Sequence, residues 1–211
     1  MRHPNDQRDI AALVVPDIGQ LVETREKWEP YRLVDRAGVV IEPVAAFFAD
    51  LQAADRSVST IRSYGHDLLR WWRFLVAIGV AWDKAVQIDA RDFARWMQIA
   101  DKPSRSRRRS TPDRVNPVTG KPPLGRKFAS STRAHAETVL RAFYDFHLEA
   151  GRGPIINPLP LNRSRRANRA NAHHNFLDPF RDERQGRYRP KVPKRVPRRI
   201  PMSSSTTCSQ D

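Results

Sequence analysis

The chain has 211 residues, enough for one ordinary domain together with sizeable extended segments. Lysine and arginine outnumber aspartate and glutamate by 38 to 23, which gives a net charge of +15, and only 39% of the residues are hydrophobic. The single cysteine, Cys208, excludes an internal disulfide, and no apolar run reaches the roughly 18 residues needed to span a membrane.

The positive charge is concentrated in two segments. Residues 101–128 have a net charge of +7 and residues 159–201 have +10, so the rest of the chain is close to neutral. A near-neutral core with basic arms is typical of proteins that bind a polyanion, and nucleic acid is the expected partner. The N-terminus lacks the unbroken apolar stretch of a secretion signal, so we expect a soluble, cytoplasmic protein associated with the nucleoid.

Residues 1–41 predict an irregular lead-in, with short extended stretches around Leu13–Val15 and Gly38–Ile41. Helical periodicity begins at Pro43, a favourable residue in a first turn. The apolar face of this first helix consists of Val44, Phe47, Phe48 and Leu51. We expect the helical domain to span residues 42–158.

A second, longer helix is predicted to begin at a capping serine, Ser57 or Ser59, and to end at Gly79. Its apolar face consists of Ile61, Tyr64, Leu68, Trp71, Trp72, Leu75 and Ile78. The opposite face carries the candidate DNA contacts Arg62, His66, Arg70 and Arg73. Because only Asp67 offsets these cations within the helix, we interpret the face as a DNA-contacting surface. An ordinary solvated face is the alternative.

A third helix is predicted over residues 89–100, with Asp89 as its cap. Its inward face consists of Phe93, Trp96, Met97 and Ala100. The basic loop 101–128 follows, and its five prolines and two glycines predict a segment that is flexible or becomes ordered only on DNA. The candidate DNA contacts in this loop are Arg107, Arg108, Arg109 and Lys127.

A fourth helix is predicted to begin at Ser130 or Ser131 and to end at Gly151. Its inward face consists of Ala136, Val139, Leu140, Phe143, Phe146, His147 and Ala150, and His147 is expected to be a core histidine. On its flank, Arg133 and Arg141 lie one turn on either side of Glu137. These two arginines are candidates for DNA contact, and pairing with that glutamate is the alternative.

Residues 159–211 predict a basic, proline-rich linker with a polar tail, in which Arg165 and Arg166 are further candidate DNA contacts. His173 and His174 lack cysteines or carboxylates at ligand spacing, so no metal site is expected. The sequence contains no nucleophile elbow and no glycine-rich phosphate loop. We therefore expect no catalytic set, no cofactor and no small-molecule substrate.

Two runs of residues resemble a known family. The first looks like the first long helix of the core-binding domain of phage-integrase-type tyrosine recombinases, and it comprises Ser59-Thr60, Tyr64, Asp67-Leu68, Trp71 and Phe74-Leu75. The second is similar to the last helix of that domain and its exit, and it comprises Ser131-Thr132, residues 140–144, Phe146, Leu148, Gly151 and Asn157-Pro158. Residues 132–151 and 173–201 are similar to integrases of high-GC actinobacteria, and the family resemblance covers roughly residues 10–201.

The resemblance implies an all-α, four- to five-helix SAM-like bundle that forms half of a clamp around duplex DNA. In that family a separate C-terminal domain uses a tyrosine to attack the scissile phosphate. No residue of that domain is carried over here, and Tyr188 is assigned to the linker. The abrupt polar tail suggests a frameshift or premature stop. We therefore expect the DNA-binding portion of a recombinase without strand-cleavage activity.

Three alternatives remain open from the sequence. The chain could act with a separately encoded catalytic chain, serve as a stand-alone regulator that occupies attachment sites, or bind RNA. Other recombinase protomers on DNA are additional expected partners. A helix-turn-helix repressor is disfavoured because the connection of residues 79–88 is too long for the usual turn of this motif.

We expect Arg62→Ala and Arg73→Ala each to weaken DNA binding.

Overall fold

The apolar periodicity of the four predicted helices is realised in the structure. A computed structural model describes residues 8–102, 126–162 and 185–192. The helices are α1 (Glu42–Ala53), α2 (Val58–Ala77), α3 (Gln87–Ile99) and α4 (Ser130–Glu149), with a 3-10 turn at Trp82–Lys84. The regular secondary structure of these described parts is thus mostly helical, as predicted. No helix in these described parts is long and apolar enough to cross a membrane.

The lead-in contains a β-hairpin that the prediction of an all-α fold omitted. Strands β1 (Gln20–Glu23) and β2 (Tyr31–Val34) pair antiparallel, with Gln20 opposite Val34. The expected extended stretches at 13–15 and 38–41 form no strand of their own, although Val40 bridges to Val34. Strands of four residues are too short to produce a periodic pattern, and a two-stranded hairpin needs packing on the helices for full stability.

The hairpin lies directly against α2. At Gly65, in the middle of that helix, an added Cβ would stand 2.6 Å from the side chain of Leu21 in β1. The glycine therefore allows the strand to approach the helix backbone, which outweighs its unfavourable helix propensity. Residues of the lead-in thus form part of the folded unit.

The helix starts correct two of the predictions. Ser57 caps α2 by accepting from the Thr60 N–H at 3.2 Å, which decides between the two serines. Asp89 does not cap α3: it lies in the first turn and accepts from the Val86 N–H at 3.0 Å. Neither serine caps α4, which begins after Ala129 without a side-chain cap bond. The predicted end of α4 is confirmed by Gly151, whose φ of +66° suits glycine.

A chain of buried hydrogen bonds joins α2, α4 and the 3-10 turn at the centre of the core. The Trp71 Nε1–H donates to the Tyr144 hydroxyl at 2.9 Å, and that hydroxyl donates to the Trp82 carbonyl at 3.0 Å. Burial raises the pKa of Tyr144, so the phenol stays protonated and able to donate. These bonds satisfy polar atoms inside an otherwise aromatic cluster.

His147 confirms the prediction of a core histidine. The residue is 1% exposed, and its Nε2 lies 3.0 Å from the Pro43 carbonyl at the start of α1. Burial lowers the pKa of His147, which favours the neutral ring with Nε2 as the donor. The bond ties the last turn of α4 to the first turn of α1.

Replacing Tyr144 by phenylalanine tests the buried hydrogen-bond chain. The variant keeps the ring but leaves the Trp71 N–H without its acceptor and removes one of two donors to the Trp82 carbonyl, which also accepts from the Ala85 N–H at 3.4 Å. We expect the free energy of unfolding to fall by about 1–3 kcal/mol, measured by urea denaturation. Tyr64→Phe, on a half-buried ring outside this chain, is the control and should lose less. Native stability in Tyr144→Phe would contradict the structural role.

Candidate nucleic-acid interface

The polar face of α2 lies between the hairpin and the N-terminal half of α4. The hairpin contacts the helix at Gly65, and α4 reaches it through a contact between His135 and Asp67. Arg62 is exposed on the strip between them, while His66 and Arg70 are half-buried. The three cations are spaced four residues apart and thus follow one line along the helix.

Asp67 is the centre of a charged cluster. It is 3% exposed, yet its carboxylate accepts from Arg70 on the same helix and lies 2.6 Å from the Nδ1 of His135 on α4. The hydrogen bond to Asp67 raises the pKa of His135, whose side chain is 45% exposed. A buried carboxylate therefore holds two cationic side chains from different helices next to each other at the surface.

The ends of the basic loop lie beside this cluster. The Arg70 guanidinium lies 5.4 Å from the ring centroid of Phe128, just before α4. Lys127 pairs with Asp101 at 2.9 Å, and the Lys102 N–H donates to the Arg126 carbonyl at 2.9 Å. The two ends of the loop are thus held together, although residues 103–125 lie outside the described residues.

These contacts define one cationic surface, named here the basic surface. It consists of Arg62, His66, Arg70, Arg126, Lys127 and His135. Sequence reasoning missed His135 and Arg126. In the sequence His135 stands alone on another helix. The one signal that could have found it was Asp67, an acidic residue among cations, because a carboxylate in that position suggests a cationic partner.

Arg73 does not belong to the basic surface. Its Nε donates to the Ile18 carbonyl at 2.7 Å, its Nη2 donates to the Gly19 carbonyl at 2.8 Å, and its Nη1 lies 2.6 Å from Asp17. Burial lowers the pKa of Arg73. The side chain fastens the lead-in to α2, and this geometry favours a structural role over the predicted DNA contact.

Arg133 and Arg141 face away from the basic surface. Arg141 is 15% exposed, pairs with Glu137 and donates from Nε to the Leu159 carbonyl at 3.0 Å, as in the alternative considered from the sequence. Arg133 lines a small cavity between α3 and α4, where its Nε is buried without a hydrogen-bond partner. DNA contact by these two arginines stays a prediction that the geometry does not favour.

Five other candidates cannot be placed. These residues lie outside the described parts of the chain, and they are Arg107, Arg108, Arg109, Arg165 and Arg166. The same holds for His173 and His174. Among the residues that are described, no three histidine, cysteine or acidic side chains come together in a way that could hold a metal ion.

The segment predicted as a linker is partly folded. Leu159 is 3% exposed and belongs to the core cluster, and residues 185–192 return to the bundle. Tyr188, assigned to the linker from the sequence, packs against the core and lines the cavity between α3 and α4. The sequence pattern missed this because the anchoring residues are few and far apart.

Comparison with known proteins assigns the family of the central part of the chain. Residues 44–113 match the family model described as the N-terminal SAM-like domain of phage integrase. No curated protein and no solved structure matches the chain. The matched span contains nearly all of α1, the whole of α2 with its cationic face, and α3. Residues 44–113 therefore match an N-terminal, SAM-like domain of the tyrosine recombinase family.

Proposed function

We propose that this chain binds duplex DNA through the basic surface, as the core-binding part of a site-specific tyrosine recombinase. The observation that carries the proposal is the convergence of cations from α2, α4 and the loop ends on one side of a recombinase-type domain. Cations placed against phosphates release the counterions of DNA, and this release supplies affinity that falls steeply with salt. Contact with other recombinase protomers belongs to the same proposal.

The row of cations on α2 suits a nucleic-acid backbone. Arg62, His66 and Arg70 span two turns, a length of about 12 Å at a rise of 1.5 Å per residue. Arg70 is oriented by Asp67 and by the ring of Phe128, so part of its conformational freedom is already lost before binding. Such preorganised donors can contact phosphates, and an exposed arginine on a helix can also reach base edges in a major groove.

The proposed activity is binding without strand cleavage. The matched domain is the N-terminal one of its family, and the resemblance of the sequence carries over no catalytic residue. Incubation with a suicide duplex tests this, because a cleaving recombinase leaves a covalent protein–DNA adduct. An adduct formed by this chain alone would overturn the proposal of binding without cleavage.

Titration of the purified chain with duplex DNA and with single-stranded RNA at matched salt tests the proposed function itself. We expect tighter binding to the duplex and a linear fall of log K with log salt concentration. Tighter binding to RNA would favour the RNA-binding alternative. Absence of duplex binding even in dilute buffer would refute the proposal.

Arg62→Ala removes an exposed cation from the basic surface. We expect weaker duplex binding and a plot of log K against log salt that is less steep by about 1, measured by fluorescence anisotropy. Arg152→Ala, which removes an exposed arginine beyond the far end of α4, is the matched control and should keep the native slope. A native slope in Arg62→Ala would remove α2 from the DNA-contacting surface.

Arg73→Ala should lower the stability of the fold rather than the affinity for DNA, in contrast to the expectation from the sequence. The variant loses the bonds to Ile18 and Gly19, so we expect the free energy of unfolding to fall by about 1–3 kcal/mol. The salt slope of DNA binding should stay native in the folded variant. A reduced slope with native stability would return Arg73 to the DNA-contacting residues.

His135 should make DNA affinity depend on pH. Its pKa is raised above 6.5 by the hydrogen bond to Asp67, so the ring is charged at low pH and loses its charge as the pH rises through the raised pKa. The groups facing the ring are Asp67, Arg70 and Tyr64 of α2. Because a charged ring attracts phosphates, affinity should increase as the pH is lowered from about 8.5 to about 6.

The control for this pH dependence is His135→Gln, which keeps a polar side chain but cannot titrate. We expect a shallower dependence of affinity on pH in this variant. A pH profile identical to that of the native chain would show that His135 does not contact DNA.

A further inference from the structure

A groove between α3 and α4 lies on the side of α4 away from the basic surface. Ala90 and Ala94 of α3 are one turn apart and leave the groove open, with Phe93 and Met97 beside them. On α4, Glu137 lines the groove, whereas His135 belongs to the basic surface. Two residues along a helix correspond to a rotation of about 200°, so the groove and the basic surface lie on different sides of α4.

Residues 185–192, named here the strap, lie across this groove. The strap is fastened to the segment that follows α4: the Asn162 N–H donates to the Gln185 carbonyl at 2.7 Å, and the Arg187 N–H donates to the Pro160 carbonyl at 2.9 Å. Leu161 and Gly186 form a β-bridge there. Asn162 and Gln185 are therefore held next to each other.

Gly186 and Tyr188 anchor the strap by shape and by hydrogen bonding. A Cβ built on Gly186 would overlap the buried carboxylate of Glu137, so glycine alone fits at this position. The Tyr188 hydroxyl accepts from the Gln87 side chain at 3.1 Å. Arg189 donates to the Thr138 hydroxyl at 2.9 Å. The docked position is thus specific rather than a loose electrostatic contact.

Exposure alternates along the strap. Gly186 is buried and Tyr188 and Pro190 are half-buried, whereas the residue after each of them is an exposed cation: Arg187, Arg189 and Lys191. On α3, Gln87 contacts Tyr188, and the positions one and two turns further along the same face carry Arg91 and Arg95. The docked strap and α3 together form a second cationic surface, named here the strap surface.

We propose that the strap surface holds a second segment of duplex DNA, so that one chain bridges two duplexes. The inference rests on the proposed function, because the first duplex occupies the basic surface. A straight duplex cannot contact two sides of a bundle that face apart. The docked backbone also removes the ordering cost that a free basic arm would bear on binding, which favours the docked strap as the binding form.

Gly186→Val should undock the strap without changing its charge, because the added side chain would overlap Glu137 and the net charge stays the same. Gln185→Val, at the exposed neighbouring position, is the matched control. Hydrogen exchange of the Asn162 and Arg187 amides reports docking: we expect protection in the native chain and the control, and its loss in Gly186→Val. Protection of α2 amides should stay native in all three and shows that the bundle is folded.

Bridging is measured by capture of a fluorescent duplex on beads that carry an immobilised duplex, with the full chain added at limiting concentration. We expect capture with the native chain and with Gln185→Val, and loss of capture with Gly186→Val, while affinity for one free short duplex is retained. Arg187→Ala combined with Lys191→Ala should also lose capture, although its strap stays docked. Sedimentation of the protein–DNA complexes identifies bridging that arises from pairing of two chains.

The outcomes distinguish the two proposals. Duplex binding without bridging by the native chain would refute the second surface and leave the proposed function standing. Native capture by Gly186→Val after its strap has undocked, or bridging that occurs only through paired chains, would likewise overturn the inference. A native chain that binds no duplex at all would overturn both.

Discussion

The packing of α2 against α4 is the contact on which the rest of the molecule depends. At its centre, Trp71 of α2 donates to Tyr144 of α4 within an aromatic cluster, so the two longest helices are held at one rotation relative to each other. At its edge, Asp67 and His135 meet at the surface. Any rotation of α4 that broke the central bond would also separate the cations of the basic surface. The core and the candidate interface are therefore determined by the same helix pair.

The position of α4 also places two chemically different edges on opposite sides. One edge carries His135 and supports the basic surface, and the other carries Glu137, which receives the strap. Burial raises the pKa of Glu137, while its contacts with Arg141 and Arg189 act in the opposite sense. A buried carboxylate thus lies at each edge of this helix, Asp67 of α2 beside His135 and Glu137 of α4 itself, and each has cationic partners.

Arginine has several distinct roles in this protein, and its number alone is a poor measure of DNA contact. Arg73 donates to backbone carbonyls of the lead-in, and Arg141 binds Glu137 and the Leu159 carbonyl. Arg62, by contrast, is exposed on the basic surface. Because a guanidinium presents five donors in a fixed plane, it is suited equally to donating hydrogen bonds to backbone carbonyls and to binding a phosphate. The surrounding backbone decides which of these occurs.

The sequence by itself determined the four helices and the apolar faces, because a period of 3.6 residues is a local property that short stretches record. It also determined the resemblance to the recombinase family, and it identified Arg62, His66 and Arg70 as one face of α2. Only the tertiary structure decided that Arg73 is fastened to the lead-in, that His135 joins Asp67, and that Gly186 fits against Glu137. Those contacts connect residues between 49 and 68 positions apart, and no periodic pattern encodes which distant backbone or carboxylate a cation will meet once the helices have packed.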